Sequence, residues 1–346
     1  MERYQLGRVY QTLRAAMAAG DLPRSVQALG QALGLPLRAT EIANHLTQAT
    51  EHLRPQLTYR GWKPAELAML AHGIKPLVKF EDIPLRDARE AQWPAGVRVL
   101  AGSAYRRDDL LLRSVPSRPD HPDALICLYA SRDGSGDALR ELERSRREDM
   151  LGAAKLLSIP TCCAEAFAAT FAHARGDQDD LNDAATRRLL QSGRSGPDRA
   201  ADALVNPLSD RELLGFYPCK LDCPAALTRA LQVQQVLPAA QSDLHELALP
   251  VLFWRLPFFV ILEPLTTARD QPPGRLTWKR WSVNAFADKT ARRAQLLLAA
   301  QWAAWSSGAN AVQVGANSLT FLANEVPVRE VQCDPAFPPI PVVWKE

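Results

Sequence analysis

The stretch Ala124-Leu-Ile-Cys-Leu-Tyr-Ala-Ser-Arg-Asp-Gly-Ser-Gly136 decides the fold class of this chain. It begins with an almost wholly apolar run, as in a buried strand, and continues with residues that are typical of a turn. Residues 137–157 follow with apolar side chains at helical spacing and charged side chains between them, so they predict a long amphipathic helix. A strand, a turn and a helix in succession indicate a mixed α/β core.

The same periodicities divide the chain into three parts. Residues 1–90 predict a helical module, because short runs with helical spacing alternate with glycine and proline breakers. Residues 91–245 predict an α/β core that contains a cysteine cluster. Residues 246–346 predict a β-rich C-terminal part with one helix, and within it Asn310–Leu322 has the alternation and the central turn of a hairpin. We therefore predict an α+β fold.

Composition excludes several classes of protein. Of the 346 residues, 47% are hydrophobic, and the net charge is only +3, which is unlike a disordered chain. The basic excess is too small for a general nucleic-acid coat, so no nucleic-acid partner is expected. The longest apolar run, Leu247–Ile261, contains two prolines and an arginine, so no membrane-spanning helix is expected. Because the N-terminus also lacks a secretory signal, we expect a cytoplasmic protein without membrane contact.

Four of the six cysteines lie in two short motifs. The first is Pro160-Thr-Cys162-Cys163, and the second is Pro218-Cys219-Lys-Leu-Asp-Cys223-Pro224. Proline before or within a first turn, and threonine at a cap, are typical of helix N-termini, so both cysteine pairs are predicted at helix starts. The free amides and the positive end of the helix dipole favour the thiolate form there.

Clustered thiolates in a reducing compartment indicate metal or redox chemistry. We predict an iron–sulfur cluster, most simply 4Fe-4S, held by Cys162, Cys163, Cys219 and Cys223, because thiolates supplied with N–H donors suit such a cluster. Structural zinc is the alternative: the second motif fits a zinc knuckle, whereas the Cys162-Cys163 adjacency does not close the usual one. A metal-free redox pair and ordinary core cysteines are the remaining interpretations.

The stretch Met150-Leu-Gly-Ala-Ala-Lys-Leu-Leu-Ser-Ile-Pro-Thr-Cys-Cys-Ala-Glu-Ala-Phe167, followed by Pro218-Cys-Lys-Leu-Asp-Cys223, resembles an uncharacterised prokaryotic family with a Pro-x-Cys-Cys and Pro-Cys-x3-Cys pattern. That family is a domain of unknown function suspected of binding an iron–sulfur cluster. The resemblance covers about residues 120–235 and implies the same four cysteines as ligands. This chain departs from the family at Ser158, where glycine is usual, and at Lys220, where serine is usual.

Three polar residues beside the thiols are candidate catalytic groups. Glu165 and Asp222 are placed to act as acid or base, and Lys220 supplies a cation; the alternative for the two acids is capping of helix amides. The function we predict is redox or sulfur-transfer chemistry on a small molecule or a peptide. A zinc- or cluster-stabilised adaptor, which binds a protein partner through the helical module, is the first alternative. Thiol–disulfide exchange is the second.

Overall fold

The computed structural model describes residues 52, 62–108, 113–144, 149–177, 181–192, 201–209, 213–238, 244–255, 258–265, 272, 274–285, 291–333, 335 and 338–345. These residues belong to two compact units. One unit spans Leu57–Leu249 and Val342–Glu346, and the other joins Pro250–Pro341 to the N-terminal segment Met1–Gln56. The predicted boundaries lie instead at residues 90 and 245. No helix in the described part of the chain is long and apolar enough to cross a membrane.

An antiparallel sheet is the centre of the first unit. Its strands are β1 (Leu77–Pro84), β2 (Arg98–Ala101), β3 (Tyr105–Asp108), β4 (Arg113–Pro116) and β5 (Leu125–Ser131). Strand β5 is central: β1 pairs along its whole length, β2 and β3 pair with it as well, and β4 pairs with β3. The strand predicted from the opening stretch is therefore the strand on which this sheet is built.

Alternation along β5 gives the sheet two apolar faces. Ile126, Leu128 and Ala130 pack with Leu70 of helix α1 (Pro64–Ala71). The intervening Tyr129 packs on the other face with helices α3 (Ser135–Arg144) and α4 (Met150–Leu156), and helix α2 (Leu85–Glu90) also packs on β1 and β5. The sheet is thus covered by helices on both faces, and α4 leads directly to the first cysteine motif.

Four more helices lie in the described part of this unit, and two of them, α5 and α7, begin at the cysteine motifs. They are α5 (Thr161–Asp177), α6 (Leu181–Ser192), α7 (Pro224–Val236) and α8 (Leu244–Leu247). A short strand β6 (Ala201–Asp202) pairs in parallel with β15 (Trp344–Lys345), and a single 3-10 turn covers Ala203–Val205. Helix α5 packs on both α4 and α6.

The second unit is β-rich with one described helix, α9 (Ala291–Ser306). Its strands form two sheets, in the orders β10-β8-β7-β14 and β13-β12-β11-β9. The strands are β7 (Val251–Arg255), β8 (Phe258–Glu263), β9 (Arg275–Thr277), β10 (Arg280–Ala285), β11 (Ala311–Val314), β12 (Ser318–Ala323), β13 (Val326–Gln332) and β14 (Ile340–Val342). Trp302 of α9 is fully buried and contacts the rings of Trp254, Trp278 and Phe321, so it packs against strands of both sheets.

The α+β class and the hairpin of β11 and β12 are confirmed. Two local predictions are wrong. Residues 77–84, counted within the helical module, form strand β1, because Val78 and Phe80 alternate onto the buried face of the sheet. The single helix expected over 137–157 is interrupted at Asp149, whose carboxylate accepts the Gly152 amide at 2.7 Å and so starts a new helix. The helices predicted within 1–51 lie outside the described residues.

Candidate metal centre

Both cysteine motifs begin helices. The Pro160 carbonyl accepts the amides of Cys163 and Ala164, each at 2.9 Å, and this places Cys162 and Cys163 in the first turn of α5. Cys223 is the N-cap of α7 with extended backbone, and Pro224 occupies the first helical position. Both cysteine motifs therefore lie at helix N-termini, as the prolines in them predict.

The fold brings all four sulfurs into one cluster. Their Sγ atoms all lie within 4.8 Å of one another. The Sγ–Sγ distances are 3.9 Å for Cys162–Cys163, 3.8 Å for Cys162–Cys223 and 3.7 Å for Cys163–Cys223. The four cysteines therefore form a compact sulfur donor set that is able to hold a metal ion.

Burial differs among the four. Cys163 and Cys223 are each 1% exposed, Cys219 is half-buried and Cys162 is exposed. The Cys219 amide also donates to Cys163 Sγ at 3.4 Å. The donor set thus has a buried side, supplied with an N–H group, and an open side at Cys162.

The pKa of Cys223 shifts toward the thiolate form, whereas the pKa values of Cys163 and Cys219 shift toward the thiol form. Burial raises the pKa of Cys163 far above the usual range of a thiol, although the Cys219 amide opposes this. Burial and the neighbouring Cys223 together raise the pKa of Cys219 to about 11. Burial acts the same way on Cys223, but the nearby Ala226 amide and the three other thiols outweigh it, so the pKa of Cys223 is lowered. The Ala226 amide stabilises that thiolate without the geometry of a full hydrogen bond.

Arg188 of α6 is a cation beside the cluster. Its Nη2 donates to the Pro218 carbonyl at 3.4 Å, while its Nε is buried without a hydrogen-bond partner among the described residues. Burial lowers the pKa of Arg188, and the charges of Cys219 and Cys163 partly offset that effect. Arg188 is half-buried, and its guanidinium reaches the Pro218 carbonyl from α6, the helix that packs against α5.

Contacts between distant segments hold the two motifs together. Tyr217, two residues before Cys219, is buried and stacks on Phe167 of α5 with ring centroids 6.2 Å apart. Arg229 of α7 donates to the carbonyls of Ser158, at 3.2 Å, and Ile74, at 3.4 Å. These side chains tie α7 and the loop before it to the segment that starts α5.

A buried ion pair supports the loop that leads to Cys219. Lys75 donates to both carboxylate oxygens of Glu66, at 2.9 and 2.7 Å, and both residues are 4% exposed. A Cβ at Gly215 would lie 2.3 Å from Glu66 Oε1, so a larger residue there would require the Glu66 carboxylate to shift within its ion pair. Sequence patterns do not indicate this pair, because its partners are ordinary surface residue types.

The three candidate catalytic residues lie on the exposed side of the site. Glu165 is exposed on α5 just after its first turn, and Lys220 pairs with Asp222 at 3.4 Å in the loop between Cys219 and Cys223. The Lys220 and Asp222 side chains are about half exposed (47% and 45%). Their roles as acid, base or cation stay predictions.

Comparison of the chain with protein-family models, with curated proteins and with solved structures finds no match. The resemblance to the prokaryotic family with the Pro-x-Cys-Cys pattern stays a prediction.

Proposed function

We propose that this protein binds a single zinc ion through Cys162, Cys163, Cys219 and Cys223, and that this ion stabilises the fold of the unit spanning Leu57–Leu249. The observation that carries the proposal is the spacing of the sulfurs. A tetrahedral zinc ion with bonds of about 2.3 Å to sulfur sets its thiolates about 3.8 Å apart. The Sγ–Sγ distances among Cys162, Cys163 and Cys223, 3.7 to 3.9 Å, have this value, and Cys219 Sγ lies within 4.8 Å of the other three sulfurs.

The placement of the four cysteines gives the ion a structural role. Cys162 and Cys163 belong to α5, whereas Cys219 and Cys223 belong to the loop before α7. One ion bound to all four clamps two helix starts that are about sixty residues apart in sequence (a separation of 60 for Cys163 and Cys223). Such a clamp adds metal-binding free energy to the free energy of folding.

Metal analysis of the full chain, purified without oxygen or added metal, tests the proposal. One zinc per chain is expected, without acid-labile sulfide. Serine variants at each of the four positions are expected to lose the bound zinc. Cys127→Ser is the matched control and should retain zinc, because Cys127 lies in strand β5 outside the donor set. Metal–sulfur distances near 2.3 Å by X-ray absorption would support the assignment. Iron with labile sulfide would contradict it.

An iron–sulfur cluster is the second candidate. The helix N-termini, the Cys219 amide donated to sulfur and the exposed edge at Cys162 favour it, since they supply N–H donors and an open side for redox or sulfur-transfer chemistry. Iron and sulfide ions would separate the thiolates further than one zinc ion does, so the four sulfurs would have to move apart. A visible thiolate-to-iron spectrum with equal iron and sulfide would favour the cluster.

Either metal assignment suits a reducing compartment such as the cytoplasm, where adjacent thiols stay reduced. A small molecule or a peptide that reaches the open side at Cys162 is the substrate that we propose for an enzymatic role. A protein partner is the proposal for an adaptor role.

A further inference from the structure

The four sulfurs of the cluster are not equivalent. Cys163 Sγ accepts an amide and is buried, and Cys223 lies beside the Ala226 amide and is buried as well. The Arg188 guanidinium lies close to Cys219, since its Nη2 donates to the carbonyl of the preceding residue, Pro218, at 3.4 Å. Cys162 Sγ contacts other sulfurs, at 3.9 and 3.8 Å, and no backbone amide in the described part of the chain donates to it.

This asymmetry decides which thiolate reacts. Hydrogen bonds and a nearby cation stabilise negative charge on sulfur, so they make a metal-bound thiolate a weaker nucleophile. Burial adds a steric barrier at Cys163 and Cys223, each 1% exposed. A divalent ion with four thiolates carries a net negative charge, and that charge is least stabilised and most accessible at Cys162.

We propose that Cys162 is a nucleophilic metal ligand that accepts an alkyl group from a soft carbon electrophile. The inference rests on the proposed metal centre. In the step, a sulfur lone pair of the Cys162 thiolate forms a carbon–sulfur bond. The bond from that carbon to its leaving group breaks, and the leaving group departs with the electron pair. No oxidant or reductant takes part. The thiolate becomes a neutral thioether, a weaker ligand, and the centre loses one negative charge.

The neighbouring charge sets the class of electrophile. Glu165 is exposed and lies three residues after Cys162 on α5, which places both on one face of the helix. With the net negative metal centre, this carboxylate repels anionic reagents. Neutral or cationic alkyl donors are therefore the substrate class that we infer.

Limited alkylation of the metal-loaded full chain tests the inference. The chain is treated with less than one equivalent of iodoacetamide, and peptides are mapped by mass spectrometry while a dye records zinc release. Cys162 is expected to be modified at least about tenfold faster than any of the other five cysteines, and before zinc is released. Faster labelling at any other cysteine, or zinc release before labelling, would overturn the inference.

The same experiment with iodoacetate tests the charge preference. The ratio of the iodoacetamide rate to the iodoacetate rate at Cys162 should fall in Glu165→Gln, whereas the same ratio at Cys333 should not change. An unchanged ratio at Cys162 would overturn the proposed class of electrophile. Metal content measured in the same sample separates the two proposals. A chain without metal contradicts the proposed function, whereas a zinc-loaded chain that is not modified first at Cys162 contradicts only this inference.

Discussion

Ser158 and Arg188 are two single residues near the cysteine motifs whose local geometry leads to a test. Ser158 lies just after α4 with φ of 55°, in the left-handed region that favours glycine. The amides of Ser158 and Ile159 donate to the Lys155 and Ala154 carbonyls, as in the helix end that usually has glycine at this position. Glycine would adopt this backbone conformation without the steric strain that a Cβ introduces. Arg188 is the residue that places positive charge beside the sulfurs.

Ser158→Gly should stabilise the protein. Removing Cβ relieves about 1 kcal/mol of left-handed strain, which corresponds to a rise in Tm of roughly 2–4 °C for a domain of this size. Thermal unfolding of the two proteins measures the difference. Ser117→Gly is the control, because Ser117 is not among the residues with positive φ. An equal or lower Tm for Ser158→Gly would contradict the explanation.

Arg188→Met should weaken metal binding by roughly 10- to 100-fold, the usual effect of losing a group that supports metal ligands from outside the donor set. The variant keeps most of the packing volume but removes the charge beside Cys219 and Cys163. Competition with a zinc chelator measures the affinity. Arg188→Lys should recover part of it, since lysine restores the charge but not the planar donor set. Equal affinities in all three proteins would show that the charge has no role.

The metal-free protein should lose stability in alkaline solution. The pKa of Cys219 is raised from 9.0 to about 11 in the folded chain, so the unfolded state ionises first. The stabilising contribution is complete below pH 9 and is lost as pH rises toward 11. Urea unfolding of the metal-free chain, repeated across this range of pH, measures the change in the free energy of unfolding. Cys219→Ser is the reference, and the gap between the two proteins should change with pH; a constant gap would contradict the pKa shift.

At the scale of elements, the buried Glu66–Lys75 pair joins α1 to the loop that carries Cys219. Glu66 lies on α1, Lys75 lies between α1 and β1, and Gly215 passes against the Glu66 carboxylate. Removing one partner of a buried ion pair leaves the other charge buried without a partner, which is costly. Replacing both partners with apolar side chains removes both charges and costs less.

Lys75→Met should therefore destabilise the protein by roughly 3–5 kcal/mol, whereas the double variant Glu66→Leu with Lys75→Met should recover most of that loss. Urea unfolding of the metal-loaded proteins gives the free energies. The double variant would fail to recover if the pair held the loop through hydrogen bonds that an apolar contact cannot replace. An effect of Lys75→Met as small as that of an exposed pair such as Lys220–Asp222 would contradict the buried geometry.

At the scale of the whole molecule, the chain consists of two compact units, and all four cysteines of the candidate metal centre lie in one of them. The core of the other unit is built on Trp302, away from any of these ligands in sequence. Metal binding should therefore raise the free energy of unfolding of the unit that holds the cysteines more than that of the other unit.

Chelation should shift only part of the unfolding curve. Calorimetry of the full chain with and without zinc is expected to show one transition moving down, by several degrees at least, because bound metal stabilises only the folded form of the unit that holds it. A second transition should keep its temperature. Limited proteolysis of the chelated chain should then cut within residues 57–249 first. One transition that shifts as a whole would show that the units unfold together.

Local sequence determined several features of this protein. Proline and threonine beside the cysteines determined two helix starts, the apolar run at 124–130 determined the central strand, and alternation around residues 315–318 determined a hairpin. Each depends on neighbours within a few residues, so periodicity and turn chemistry are sufficient to predict it.

Only the tertiary structure decided the rest. The meeting of the two cysteine pairs, the close approach of the four sulfurs and the burial of the Arg188 Nε atom all depend on how α5, α6 and α7 pack. Strand β1 also escaped prediction, since its partner β5 lies some fifty residues away (Leu77 pairs with Ser131). The physical reason is the same in each case. Burial of apolar surface brings together side chains that are far apart in sequence, and the residues near each side chain do not indicate which partner it will meet.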